Sequence, residues 1–231
     1  MFQTFESLDE LSAAAADQFC VLAAKSIDER GVFRVTLSGG STPRRLYELL
    51  AKRDLPWDKI RWFWGDERNV PADHNDSNYK MVCEALLNQL PPNQVHSFPV
   101  PVTVDNPSGS ASAYEKMLRD EFGGDDWPTW DLALLGMGDD AHTASLFPDT
   151  SAITTVDRWF VENFVSKFDA YRYTLTAPAI NSARQRWFLV AGANKVDALQ
   201  HARTKTPDDP NTYPSQLIQE PTWFVARDAL A

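Results

Sequence analysis

Apolar positions in this chain recur at two periods, and the alternation between them predicts its architecture. Leu8, Leu11, Ala15, Phe19 and Leu22 fall three or four residues apart, one stripe of a helix, with Ser7 and Glu10 as a capping box at its start and Gly31 as its stop. "VFRVTLS" (Val32 to Ser38) is a β-rich run ending in Gly39-Gly40. Pro43 then stands at the first position of a helix carrying Leu46, Leu49 and Leu50, with Ser41 or Thr42 as cap. "IRWFWG" (Ile60 to Gly65) predicts a second strand, a polar loop runs to Ser77, and Met81, Val82, Ala85 and Leu86 mark another helix. A further helix is predicted from Ser110 to Phe122. "DLALLG" (Asp131 to Gly136) is a continuous apolar strand of the kind buried on both faces. "RYTLTA" and "RWFLVAG" give two more strands, the second leading into a helix over Ala193 to Ala202, and "TWFVA" gives a last one. Alternation of this density predicts an α/β fold, a parallel sheet with helices on both faces, whose ligands bind beyond the carboxyl ends of the strands.

Composition narrows the picture. Of 231 residues, 43% are apolar and 13 are Phe, enough core to fold without a disulfide or metal, so residues 1–231 are read as one domain. Cys20 and Cys83 sit at helical spacing and read as buried thiols rather than a bridge or a nucleophile. The segment "MFQTFESLDELSAAAADQF" lacks a basic start and an unbroken apolar run, so neither a signal peptide nor a membrane span is expected and the location expected is the cytoplasm. A formal charge of −10 argues against a nucleic-acid partner. It leaves room for an anionic small molecule only where Arg and Lys converge. No histidine pair or carboxylate spacing suggests a metal site, no cofactor is expected, and the chain is taken as a monomer.

Three loops carry candidate chemistry. In "SGGSTP", Gly39 and Gly40 let the backbone turn its N–H groups toward a bound group, Ser38, Ser41 and Thr42 add hydroxyls, and the following helix brings its positive end. Such a loop suits a phosphate, though a plain glycine turn has the same letters, and the lysine and spacing of a P-loop are missing. "GDERNVPADHNDSNY" gathers Asp66, Glu67, Arg68 and His74; it is either a solvated charged loop or, lying at the same sheet edge, the place where Arg68 meets an anionic substrate. The third, "GMGDDAHTASLF", matches the dinucleotide pattern G-x-G-x-x-A. Asp139 and Asp140 would however occupy the place of pyrophosphate donors, and Pro148 ends any helix after a turn and a half. The remaining readings of His142 are a histidine bonded into structure, or a base set at the mouth of a short helix whose N-terminus favours the neutral imidazole. His96 and His201 are read as structural.

Together, "LSGGSTPRRLY", "FWGDERNVPADHNDSNY", "DLALLGMGDDAHTASLFP", "RYTLTAPAINSAR" and "FLVAG" with Lys195 resemble, in order and spacing, the 6-phosphogluconolactonase family. The resemblance implies a doubly wound, mostly parallel, Rossmann-like sheet shared with glucosamine-6-phosphate deaminases and ribose-5-phosphate isomerases. It also implies hydrolysis of 6-phospho-D-glucono-1,5-lactone in the oxidative pentose phosphate pathway. The family's base falls on His142. Its phosphate and sugar contacts fall on Ser38 to Thr42, on Asp66 and Arg68 of GDER, and on the basic pair Lys167 and Arg172. Arg44 is a further contact or a solvated side chain, and Asp140 fixes either the loop or the imidazole. Two departures stand out: Ala141 replaces the glycine that usually precedes the histidine, and Phe168, Asp169 and Ala170 replace the usual prolines between the basic pair. A carboxylate on His142 would favour its charged form, so such pairing is expected to be weak or offset by cations. Catalysis is thus expected from His142, Asp140 and Arg68. The competing readings are a sugar-phosphate isomerase or deaminase using a carboxylate on the same fold, and a non-catalytic sugar-phosphate-binding protein.

Overall fold

The computed structural model describes residues 1–124 and 126–230. Seven strands form a wholly parallel sheet: β1 (Phe2–Phe5), β2 (Phe33–Leu37), β3 (Ile60–Trp64), β5 (His96–Phe98), β6 (Leu132–Leu135), β9 (Gln185–Val190) and β10 (Thr222–Ala226), in the order β1-β10-β9-β6-β2-β3-β5. Helices α1 (Leu8–Arg30), α2 (Ser41–Leu50), α3 (Asn78–Ala85), α4 (Pro107–Phe122), α5 (Ala177–Asn181) and α6 (Val196–Thr204) flank it. A second, antiparallel sheet of β4 (Asp66–Arg68), β8 (Ala170–Leu175) and β7 (Phe160–Val165) lies beside it. The α/β class and mostly parallel sheet follow the sequence pattern. The strand "RYTLTA" does not join the large sheet; it is β8, paired antiparallel with β4 and β7, because its outer residues alternate instead of running apolar.

Helix α1 shows why the stripe matters. Leu11, Ala15, Phe19 and Ala23 are fully buried, and the Phe19 ring meets Phe33 edge-on at 5.1 Å and Trp62 face-on at 6.1 Å, which joins the helix to β2 and β3. Truncating such a ring costs about 3–5 kcal/mol. Ser7 accepts from the Glu10 amide, whereas the Glu10 carboxylate reaches the Glu6 amide, one residue before the expected cap partner. Gly31 closes the helix at φ 75. No helix among the described residues is long and apolar enough to cross a membrane.

The strand order places the site. From β2 the chain runs outward through β3 to β5, then returns to lay β6 on the other side of β2, so the order reverses between β2 and β6. Crevices at such reversals, beyond the carboxyl ends of the strands, are where open α/β sheets bind ligands. Two buried tyrosines hold the strand ends that feed it. Tyr47 of α2 donates to the Ser38 carbonyl and accepts from its amide, at 2.9 and 3.0 Å, and Tyr114 of α4 does the same for Trp64, at 3.2 and 2.8 Å. Burial raises both phenols, so they remain neutral donors.

Candidate active site

A cavity of about 530 Å³ opens at this reversal point. Its floor is the β2–α2 loop. Gly40 takes φ 99 and caps α2, so the helix begins at Ser41 rather than at Pro43, and Ser41 and Thr42 present first-turn amides that have no partner within the helix. Ser38, Gly39, Gly40, Ser41 and Thr42 all line the cavity. A Cβ on Gly39 would lie 1.8 Å from Asn78 Oδ1, so any side chain there has to displace the buried Asn78 amide. The adjoining loop touches this floor, since a Cβ on Gly136 would stand 3.6 Å from Ser38 Oγ.

One wall comes from the antiparallel sheet, and strand alternation decides which residues reach it. In β4, Asp66 and Arg68 line the cavity while Glu67 turns away into the protein. Glu67 accepts from the amides of Arg68, Asn78 and Tyr79 at 2.7–2.8 Å and from Ser77 Oγ, tying β4 to the start of α3. Burial raises its carboxyl despite these donors. Arg68 is in register with Arg172 of β8, so two guanidinium groups project side by side. Burial, then the neighbouring Arg68, lowers the Arg172 guanidinium. Like charges opposed across a strand pair are destabilising. Here they set two positive charges on one wall of the cavity in an otherwise acidic chain. Asp66 is buried and accepts from Ser145 Oγ at 3.0 Å.

The other wall is the loop after β6. His142 Nδ1 lies 2.5 Å from Asp140 Oδ1, and the His142 amide donates to the same oxygen at 3.2 Å. Burial alone would raise the Asp140 carboxyl; the bond and charge of His142, then the bond from Lys167, hold it well below the usual carboxylate range. An ionised Asp140 is an acceptor for a hydrogen bond from Nδ1–H, and the tautomer that makes this bond carries its lone pair on Nε2. The pairing is close rather than weak, and Lys167, 3.1 Å from Asp140 Oδ2, supplies the offsetting cation. The imidazole also stacks on Phe147, centroids 4.0 Å apart.

No helix follows His142. Ala144 adopts φ 48, Thr143 and Leu146 form an isolated bridge, and the Thr143 hydroxyl bonds back to the Gly136 carbonyl, so the segment is a turn locked onto the end of β6. Ala141 lies in the left-handed region at φ 58, and its carbonyl is clasped by the amide and hydroxyl of Ser215 at 2.9 and 2.6 Å. The loop rather than a helix terminus therefore orients the imidazole.

Thus His142, Asp66, Arg68, Arg172 and Ser38 to Thr42 share one cavity. Asp140 stands behind the imidazole. Lys167 is engaged by Asp140 and lies off the cavity wall, and Arg44 points along α2 to Glu48 at 3.3 Å. His74 is exposed and accepts from the Asp76 amide. The sequence resemblance included "FLVAG" with Lys195 but assigned no site role to the loop after β9, where Gly192, at φ 106, Asn194 and Lys195 line the cavity. Its signal was the one used elsewhere, an apolar strand running into a glycine. Among the described residues no group of three or more His, Cys, Asp or Glu is arranged to hold a metal ion.

The family model described as glucosamine-6-phosphate isomerases/6-phosphogluconolactonase matches residues 6–225. A 6-phosphogluconolactonase of Nostoc sp. is 44% identical over 226 residues, 95% of this chain and 92% of that protein. One from Mycobacterium tuberculosis is 36% identical over 242 residues, 99% of this chain and 96% of its own. The solved 6-phosphogluconolactonase from Trypanosoma cruzi superposes with a TM-score of 0.87 at 30% identity, covering 99% of this chain and 94% of that one.

Proposed function

Because the chain belongs to the glucosamine-6-phosphate isomerase/6-phosphogluconolactonase family and is an enzyme of its lactone-hydrolysing kind, acting in the pentose phosphate pathway, we propose that His142 is the general base that opens 6-phospho-D-glucono-1,5-lactone. The observation that carries this reading is the imidazole itself. Its Nδ1 bonds the Asp140 carboxylate, and it lines a cavity shared with Arg68 and Arg172, neither of which has a carboxylate within ion-pair distance among the described residues.

In the reaction, Nε2 takes a proton from water as the water oxygen bonds to the lactone carbonyl carbon. The tetrahedral species collapses by breaking the bond to the ring oxygen, which receives the proton back from the imidazolium. The products are 6-phosphogluconate and the restored base. General-base help of this kind contributes about 10²- to 10⁴-fold, enough for an ester that already hydrolyses unaided. Asp140 holds the tautomer and steadies the imidazolium, and Lys167 on its other oxygen limits how far the carboxylate stabilises the charged ring.

The far end of the substrate is gripped by Arg68, Arg172 and Lys195, with the first-turn amides of α2 and the hydroxyls of Ser41 and Thr42. Binding energy from this phosphate, remote from the reacting carbon, holds the carbonyl against the base. The test is to compare gluconolactone with its 6-phosphate, each corrected for spontaneous opening. A large advantage in kcat/KM for the phosphorylated lactone supports the clamp, and equal efficiency contradicts it. With a formal charge of −10, the proposed partner is a small phosphosugar rather than nucleic acid, and the proposed location is the cytoplasm.

A further inference from the structure

Phe168 stands where the family's usual proline run is broken, at the tip of the hairpin joining β7 to β8. Its ring is 46% exposed at the cavity rim, with the Lys167 ammonium 5.6 Å from its centroid. The Arg172 guanidinium lies 5.2 Å above its centroid, and Phe168 meets Phe147 edge-on at 5.6 Å and 80°. Phe147 in turn stacks on the His142 imidazole. Asp169 takes φ 48 to close the turn, which carries the ring back over the cavity.

Arg172 needs such a brace. Among the described residues its guanidinium makes one hydrogen bond, to the Tyr171 carbonyl at 3.2 Å, and no carboxylate lies within ion-pair distance of it. Arg68 repels it from across the strand pair. A ring face attracts a cation at this range without consuming its N–H donors. The donors therefore stay available to an anion.

We propose that Phe168 is a positioning residue that holds Arg172 for the substrate phosphate and, through Phe147, ties that grip to the catalytic imidazole, so that it sets the preference for phosphorylated over unphosphorylated lactones. The inference rests on the assignment of Arg172 to phosphate and His142 to the base.

The experiment measures kcat and KM for 6-phosphogluconolactone and gluconolactone in wild type, Phe168→Ala, Phe168→Leu and Phe168→Tyr. The exposed position lets all three variants fold, which melting curves verify. The Ala and Leu variants should raise KM for the phosphorylated lactone so that the preference shrinks about 3- to 30-fold, the range a cation–π contact spans. Tyr, which keeps the ring face, should restore the preference to within about twofold of wild type. A preference unchanged in Phe168→Ala, or restored by Leu as well as by Tyr, overturns the proposal while the phosphate and base assignments stand. A wild type without any preference overturns those assignments and the proposal together.

Discussion

Gly138 lies directly under His142: a Cβ built on it would stand 2.0 Å from the imidazole Nδ1 and 2.6 Å from Asp140 Oδ1. The histidine–aspartate pair rests on a bare Cα, so the glycine read as part of a turn is also the seat of the dyad. In Gly138→Ala the ring has to move, and a displacement near 1 Å costs about 100-fold in rate. We expect kcat to fall by about that factor with little change in the binding of 6-phosphogluconate. Steady-state kinetics with product-binding calorimetry checks this.

Asp140 bears on both activity and acid stability. Asp140→Asn removes the charge that fixes the Nδ1–H tautomer, and an amide NH₂ offered to Nδ1 would select the wrong one. A loss of about 10²- to 10⁴-fold in kcat is expected. The sign for stability follows from a folded-state carboxyl lowered below its unfolded value. Its contribution is fully present above the unfolded pKa of about 3.9 and disappears as pH falls through the lower folded value. The melting difference between wild type and Asp140→Asn should therefore be largest at neutral pH and shrink below about pH 4, as a pH series of thermal melts would show.

Ala141 pays a conformational cost that its surroundings nearly offset. The left-handed backbone costs a non-glycine residue about 1–2 kcal/mol. Against that stand a fully buried methyl worth about 0.8 kcal/mol and a stiffer unfolded chain worth about 0.4–1 kcal/mol relative to glycine. Ala141→Gly should accordingly shift Tm by less than about 4 °C, with kcat unchanged. Ala141→Val, β-branched at φ 58 and without room, should destabilise the protein and misplace His142.

The Arg68–Arg172 pair separates function from stability. Arg172→Gln should raise KM for the phosphorylated lactone by about 10- to 100-fold, the worth of a charge-assisted contact. Because it also relieves repulsion across β4 and β8, Tm should hold or rise. A fall in Tm matching the loss of affinity would show that the pair is structural.

What could be read from the sequence follows from range of interaction. The stripe from Leu8 to Leu22 and the apolar run from Asp131 to Gly136 are local patterns, and they predicted α1 and β6 and hence the sheet edge where three loops meet. β4 spans three residues inside a stretch that reads as polar loop, and its pairing with β8 joins segments about a hundred residues apart, so neither it nor the Arg68–Arg172 register has a local signal. Residues 143–147 have a helix-compatible sequence, yet hydrogen bonds from Thr143 to Gly136 and from Ser145 to Asp66 and Thr174 outweigh that preference. Lys167 and Arg172 look equivalent in sequence. The turn between them sends one to Asp140 and the other to the cavity.

The most direct test of the account is kcat for 6-phosphogluconolactone in His142→Asn, corrected for spontaneous opening, alongside the Kd of 6-phosphogluconate. Loss of a general base predicts a fall of about 10²- to 10⁴-fold in kcat with Kd within a few-fold of wild type. Turnover equal to wild type in the folded variant would contradict it.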